Sequence, residues 1–129
     1  MTWSNPKSVS RICVVLEANE MGKITLEFVR HLSPITFSKI MKAMPISGRL
    51  HFLESKLGYV ETGLTVGAEK QKSTFQRGDL GFMISNGSIC IVLHDTKGLS
   101  MNHIGHCIDD PTMLESIESG EIIFIKLIS

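Results

Sequence analysis

The chain has no excess of charge of either sign: across 129 residues, thirteen Lys and Arg balance thirteen Asp and Glu. Proteins that hold nucleic acid concentrate cations against its phosphates, and no cluster here is denser than Lys70 to Lys72, so a nucleic-acid partner is excluded. The same neutrality offers little repulsion between copies. With 43% hydrophobic residues, a homo-oligomer that hides part of the surface is expected. Cysteine is scarce, and Cys13, Cys90 and Cys107 are odd in number, without C-x-x-C spacing and set among apolar neighbours. A disulfide scaffold is thereby excluded, and a reduced, cytoplasmic protein is expected. The opening MTWSNPK has no apolar signal core, and no apolar run nears the ~18 residues of a membrane helix, so no membrane association is expected. Also missing are a phosphate-cradling glycine loop, a Ser-His-Asp set and a carboxylate pair, and no cofactor is expected. Without repeats or linkers, residues 1–129 read as a single domain that opens with a flexible segment over 1–9. A domain of this size holds a core that needs neither metal nor disulfide.

What the sequence does have is strand pattern. In Gly78 to His94 (GDLGFMISNGSICIVLH), two apolar runs meet at Asn86-Gly87, the dipeptide that supplies both positive-φ residues of a type I′ hairpin turn. Neither arm alternates, which implies cover on both faces of the strands. Arg11 to Ala18 reads as a buried strand and Asn19 to Gly22 as a turn. After it Ile24, Leu26 and Phe28 alternate with Lys23, Thr25 and Glu27, the period of a half-buried strand. Phe37, Ile40, Met41 and Met44 then fall at i, i+3, i+4 and i+7, predicting an amphipathic helix of about three turns. Pro34 suits its first turn, Ser33 or Thr36 its cap, and Pro45 closes it. Arg49 to Leu53 and Gly58 to Val66 read as strands, Gly67 to Gln76 as a solvated, mobile loop, His94 to Met101 as irregular, and Asn102 to Ile108 as a strand. Asp110 caps a short helix with Pro111 at its first position, Met113, Leu114 and Ile117 as its stripe and Gly120 as its stop. Glu121 to Ile128 is the last strand. The class is mainly β with two helices. Because several strands lack the charges or prolines that protect a sheet edge, a closed eight-stranded antiparallel barrel capped by the helices is expected over an open sheet.

The element order and three patches resemble the cyclophilin fold, and more closely the short stand-alone cyclophilin-like domains of archaea and bacteria. Gly22 to Phe28 (GKITLEF) with Ser33 to Phe37 (SPITF) resembles the second strand and first helix of a cyclophilin. Gly78 to Met83 (GDLGFM) resembles the glycine-aspartate strand of the short family. Ile104-Gly105-His106 resembles its aliphatic-glycine-basic strand, which precedes a proline-started helix and a terminal strand. The likeness runs from Arg11 to Leu127 and implies an eight-stranded barrel with a helix at either end and an outer groove that takes a prolyl peptide.

Function does not follow from fold alone. Cyclophilin isomerases carry an arginine in a phenylalanine-histidine-arginine pattern, followed by a glycine-phenylalanine-methionine-x-glutamine strand. Matched to those patterns, Phe52-Leu53-Glu54 puts Glu54 in the arginine slot, and Gly58 to Thr62 puts Thr62 in the glutamine slot. Rotation about an X-Pro bond faces a barrier of ~20 kcal/mol, which a cation donating to the prolyl nitrogen lowers and a carboxylate cannot. The histidine slot falls near Met101 and the inner aromatic slot on Ile91. The expectation is a module binding a peptide or small ligand without a working isomerase centre, its groove lined by Tyr59, Thr62, Phe82, Met83, Ile91 and Met101. One alternative is a prolyl isomerase in which a shifted register puts Arg49 or His51 at the arginine slot. Another is a structural protein that acts as an oligomer.

His94, His103, His106 and Cys107, with Asp95, Asp109 and Asp110 nearby, are ligand types for a metal. On a regular strand, however, positions 103 and 106 face opposite ways, and only a bulge or helix would reunite them, so no metal is expected. Arg77-Gly78-Asp79 spells an adhesion tripeptide but opens a strand, and Asn86-Gly87-Ser88 fits a glycosylation sequon that turn chemistry already explains. Cys90 and His94 share a face but lie about 13 Å apart along a strand, too far for a nucleophile and its base.

Overall fold

The computed structural model describes residues 10–18 and 22–128; the segment over 1–9 and most of the turn from Asn19 lie outside the described residues. The elements run β1 (Arg11–Glu17), β2 (Lys23–Val29), a 3-10 turn (Arg30–Leu32), α1 (Pro34–Ala43), β3 (Ile46–Leu53), β4 (Leu57–Glu61), β5 (Lys72–Phe75), β6 (Asp79–Met83), β7 (Ser88–Val92), β8 (Thr96–Cys107), α2 (Thr112–Glu115) and β9 (Ile122–Leu127). Every pairing is antiparallel, in the order β2-β1-β9-β3-β4-β7-β6-β8-β5, and β2 pairs again with β8. That last pairing closes eight strands into the expected barrel and leaves β5 outside the ring, hydrogen-bonded to the first half of β8. Among the described residues no helix is long and apolar enough to cross a membrane.

The alternation read in the sequence is what fills the barrel. Leu16, Leu26, Leu50, Leu80, Ile91 and Ile125 are fully buried in one cluster, to which α1 adds Phe37 and Ile40, α2 adds Leu114 and the segment just after α2 adds Ile117. The helices sit at opposite ends: α1 follows the end of β2, whereas Gly22 at its start lies against Met113 of α2. The two-sided cover expected for the β6–β7 hairpin is present too, since every residue of β7 is buried.

Several local expectations change. The Asn86-Gly87 turn is not a two-residue type I′ turn, because Met83 pairs with Ser88 and four residues, Ile84 to Gly87, span the loop. Only Gly87 has positive φ there, at 65°. Long-range contact decides this: the Gly87 carbonyl accepts from the Thr62 amide (2.9 Å) and hydroxyl (2.6 Å), and a Cβ on Gly87 would lie 2.5 Å from the Leu64 carbonyl oxygen. The strand read over Gly58 to Val66 ends at Glu61, where the chain turns to make those bonds. The loop over 67–76 is anchored and contains β5, and β8 begins at Thr96 because β5 supplies a partner there. The second helix is a single turn with Pro111, not Asp110, at its N-cap position and Ile117 beyond its end, although the Asp110 carboxylate does accept from the Thr112 amide at 2.9 Å.

The cap of α1 is the largest departure. Ser33 occupies the N-cap position, as expected, but its side chain makes no cap bond; the Ser33 hydroxyl donates instead to the His103 carbonyl at 2.8 Å. The carboxylate of Glu69, from the loop before β5, accepts from the amides of Ile35 (2.9 Å) and Thr36 (2.7 Å) and from the Thr36 hydroxyl (2.5 Å). It thereby satisfies orphan donors of the first turn from outside the helix. Buried Asn102 completes the arrangement, donating to Thr36 Oγ1 and the Gly67 carbonyl and accepting from the Glu69 amide. Burial pushes the Glu69 carboxyl upward, but the Thr36 hydroxyl and the two amides outweigh it, and its pKa is lowered from 4.5. A lowered folded pKa means that the stability Glu69 contributes is complete above 4.5 and is lost as pH falls through the folded value. Glu69→Gln is expected to cost about 1–2 kcal/mol in urea melts at neutral pH, with the deficit shrinking at acid pH. An equal deficit at both pH values would refute the charge-based cap.

Candidate functional site

Outward-facing positions of β4, β7 and β6 form the face where the resemblance places a groove. That face is filled by the chain itself. The ribbon of β5 and the start of β8 lies over it, and Phe75, 1% exposed, packs with Leu57, Cys90, Val92 and Met101, flanked by Tyr59, Met83 and Leu99. Gly81 makes room for this layer: a Cβ there would lie 2.9 Å from the Met101 methyl. Of the six groove candidates, Tyr59, Met83 and Met101 therefore come together, but beneath Phe75. Phe82 and Ile91 face the other way and are fully buried in the barrel interior, because strand alternation sends them there. Thr62 stands apart, holding the Gly87 carbonyl and the Leu64 amide. Sequence reading missed Phe75, whose one signal was a lone aromatic in an otherwise polar stretch.

The arginine-slot residue Glu54 is not on a strand. It sits exposed at the β3–β4 turn with φ 57° and forms a 3.6 Å ion pair with Lys56. The alternatives are on β3 and point outward: the His51 ring lies 5.5 Å from Tyr59, and the Arg49 guanidinium donates to the Gly120 carbonyl at 2.9 Å. Burial pushes the Cys90 thiol up to about 12, so it is no nucleophile at neutral pH. Cys107 is likewise pushed up to about 12 by burial. Cys13, expected among apolar neighbours, is instead exposed, because it lies on the outer face of β1 beside Glu27.

The histidine pair needs correction as well. Asp79 pairs with His106 and Gly81 with His103, so one extra residue is accommodated in β8 between them. This bulge turns both imidazoles outward. His106 Nε2 lies 3.1 Å from Glu27 Oε1, which Arg11 also holds at 2.9 Å, and His103 Nε2 lies 3.0 Å from the Gly105 carbonyl. Burial, reinforced by Lys72, lowers the His103 pKa. Among the described residues no group of three or more His, Cys, Asp or Glu could hold a metal. Arg77 is committed to structure: its guanidinium bonds the Leu93 carbonyl, Glu115, Asp110 and Thr112, fastening α2 to the barrel.

The whole-chain comparisons agree with this architecture. A family model described as cyclophilin-like matches residues 10–126. The chain belongs to the cyclophilin-like family. The solution structure of a hypothetical protein from Archaeoglobus fulgidus is similar, with a TM-score of 0.76 over 92% of this chain and 96% of that one at 19% identity, a likeness of fold. No curated protein matches.

In this cyclophilin-like domain the concave apolar surface lies away from the filled face. Ile12, Pro34, Phe37 and Met41 line a depression of about 630 Å³ beside α1, with Ser38, Arg30 and Lys42 around it. Arg30 stacks over the Phe37 ring, 5.4 Å from its centroid, a cation-on-aromatic contact that fixes one side of the rim.

Proposed function

We propose that this cyclophilin-like domain is a non-catalytic binding module of the reducing cytoplasm, and that it takes a short peptide with apolar and acidic side chains in the depression beside α1. The observation that carries this reading is the composition of that depression: an apolar floor of Ile12, Pro34, Phe37 and Met41 under the cations Arg30 and Lys42. Apolar concavity with a few oriented polar groups is the usual make-up of a binding site. Because the surface is open, it suits a segment laid across it better than a small molecule, whose site encloses most of its area. The absence of isomerase chemistry is supported by Phe75 filling the outer face, by Glu54 at a turn tip and by Arg49 being held by the Gly120 carbonyl.

Fluorescence anisotropy with a labelled peptide of two apolar residues flanked by Asp and Glu is expected to show saturable, salt-sensitive binding. Lys42→Glu is expected to weaken it about tenfold, while Lys97→Glu, at the start of β8 opposite Thr74 of β5, leaves it unchanged. Binding unaffected by Lys42→Glu would overturn the site. In a protease-coupled prolyl assay the wild type is expected to run at the uncatalysed rate. A rate above it that falls in Arg49→Ala or His51→Ala would establish the isomerase reading instead.

A further inference from the structure

We infer that the outer face of β9 is a homodimer interface, with Phe124 as its central anchor. Strand alternation sends Ile123 and Ile125 into the core and turns Ile122 and Phe124 outward, where they remain 41% and 45% exposed. A neutral, globular chain rarely leaves such residues grouped on one face without a partner. Phe124 is also a ridge between two hollows. On one side Arg49, Glu118, Ser119 and Glu121 surround a depression of about 500 Å³; on the other, Glu17, Pro45 and Lys126 surround one of about 400 Å³. A surface that carries both a protruding aromatic and the hollows to receive one is self-complementary, as a two-fold interface must be.

The charges point to a second copy over a differently charged partner. Each hollow is rimmed by one cation together with carboxylate, Arg49 with Glu118 and Glu121, and Lys126 with Glu17, the latter already paired at 2.7 Å. A strongly acidic or basic partner would meet like charge at either hollow, whereas a copy presents the same balance of both signs. The net charge of zero leaves no long-range repulsion to oppose this. An aromatic anchor in an apolar patch ringed by charge is the make-up of an interface hot spot.

Sedimentation velocity across a concentration series is expected to show wild-type protein at twice the chain mass. Phe124→Lys is expected to raise the dimer dissociation constant about thirtyfold or more with an unchanged circular dichroism spectrum, since the side chain is half exposed. Ile35→Lys, an exposed apolar position on α1, is expected to leave the dimer intact. A wild type that stays monomeric, a dimer that survives Phe124→Lys, or an equal loss in Ile35→Lys would each overturn the proposal. Lys42→Glu, which tests the peptide site, is expected to leave the dimer unaffected, so the two readings fail separately.

Discussion

Gly105→Ala is expected to abolish stable folding. Gly105 sits where β2 and β8 close the barrel, opposite Phe28 on one side and Leu80 on the other. A Cβ at this position would overlap the Glu27 carbonyl oxygen and lie 3.0 Å from Phe28 Cα. Both obstacles are backbone, so no side-chain rotation relieves them, and the seam must separate. The closing pairing spans only Leu26–Cys107, Glu27–His106 and Phe28–Gly105, continued by the Ile108 amide on the Thr25 carbonyl at 2.9 Å, so little remains to hold it once its Gly105 end is forced outward. The cost is expected to exceed about 4 kcal/mol, the range of severe single substitutions, against a total stability of about 5–15 kcal/mol for a domain. Soluble yield, near-UV circular dichroism and a urea melt measure it. Gly67→Ala is the control: nothing lies within 4 Å of its Cβ position, and a change within about 0.5 kcal/mol is expected. A Gly105→Ala protein that melts like the wild type would show that the seam yields.

Phe75→Ala is expected to cost about 3–5 kcal/mol, the loss of a buried aromatic plus the cavity it leaves. The site relaxes poorly because its floor is barrel wall, Cys90 and Val92 on β7 and Leu57 on β4, each fully buried. The vacated space has an apolar floor of Leu57, Cys90, Val92 and Met101, with the His103 ring and the Lys72 ammonium at its edge, and apolar cavities accept small aromatic molecules. Adding benzene to the variant is therefore expected to recover part of the lost melting temperature, with no effect on wild type. Failure of benzene to recover any would mean that the β5–β8 ribbon collapses onto the wall instead. The substitution also exposes the face on which cyclophilins hold prolyl peptides. With no cation provided there by Glu54, its prolyl isomerase rate is expected to remain at the uncatalysed level.

The barrel was legible from the sequence because its signals are local and repeated. Alternation in Lys23 to Phe28, the two-sided apolarity of Ile89 to Leu93 and the helical spacing of Phe37, Ile40 and Met41 each follow from neighbours a few positions away. What stayed hidden depends on distant partners. Glu69 caps a helix more than 30 positions earlier in the chain, and nothing around it in the sequence announces that. The four-residue loop that ends at Gly87 is set by Thr62 and Leu64 rather than by the Asn-Gly dipeptide. The bulge in β8 undid the odd-spacing argument for His103 and His106, since a register defect leaves no pattern in residue types. At the expected groove, the fault lay in parity. Phe82 and Ile91 are one position out of phase with Met83 and Cys90, so these two of the six candidates were bound to face inward once the strands formed.

The seam between β2 and β8 also has a meaning in time. Thr25 donates to the carboxylate of Asp109 across a separation of 84 residues, right beside the pairing that closes the ring. A ribosome adding ~5–20 residues per second takes roughly 4–17 s to make that stretch. For that interval the β1–β2 hairpin, with Leu16, Leu26 and Phe28 destined for the interior, exists without the strand that completes it. Leu26 and Phe28 on a strand with one unpaired edge are then open to other nascent chains, and Lys23 and Glu27 on the opposite face are the charges that keep such an edge from pairing wrongly. Charge at these two positions opposes wrong pairing while the edge is open, which is separate from the bonds Glu27 makes to Arg11 and His106 in the finished barrel.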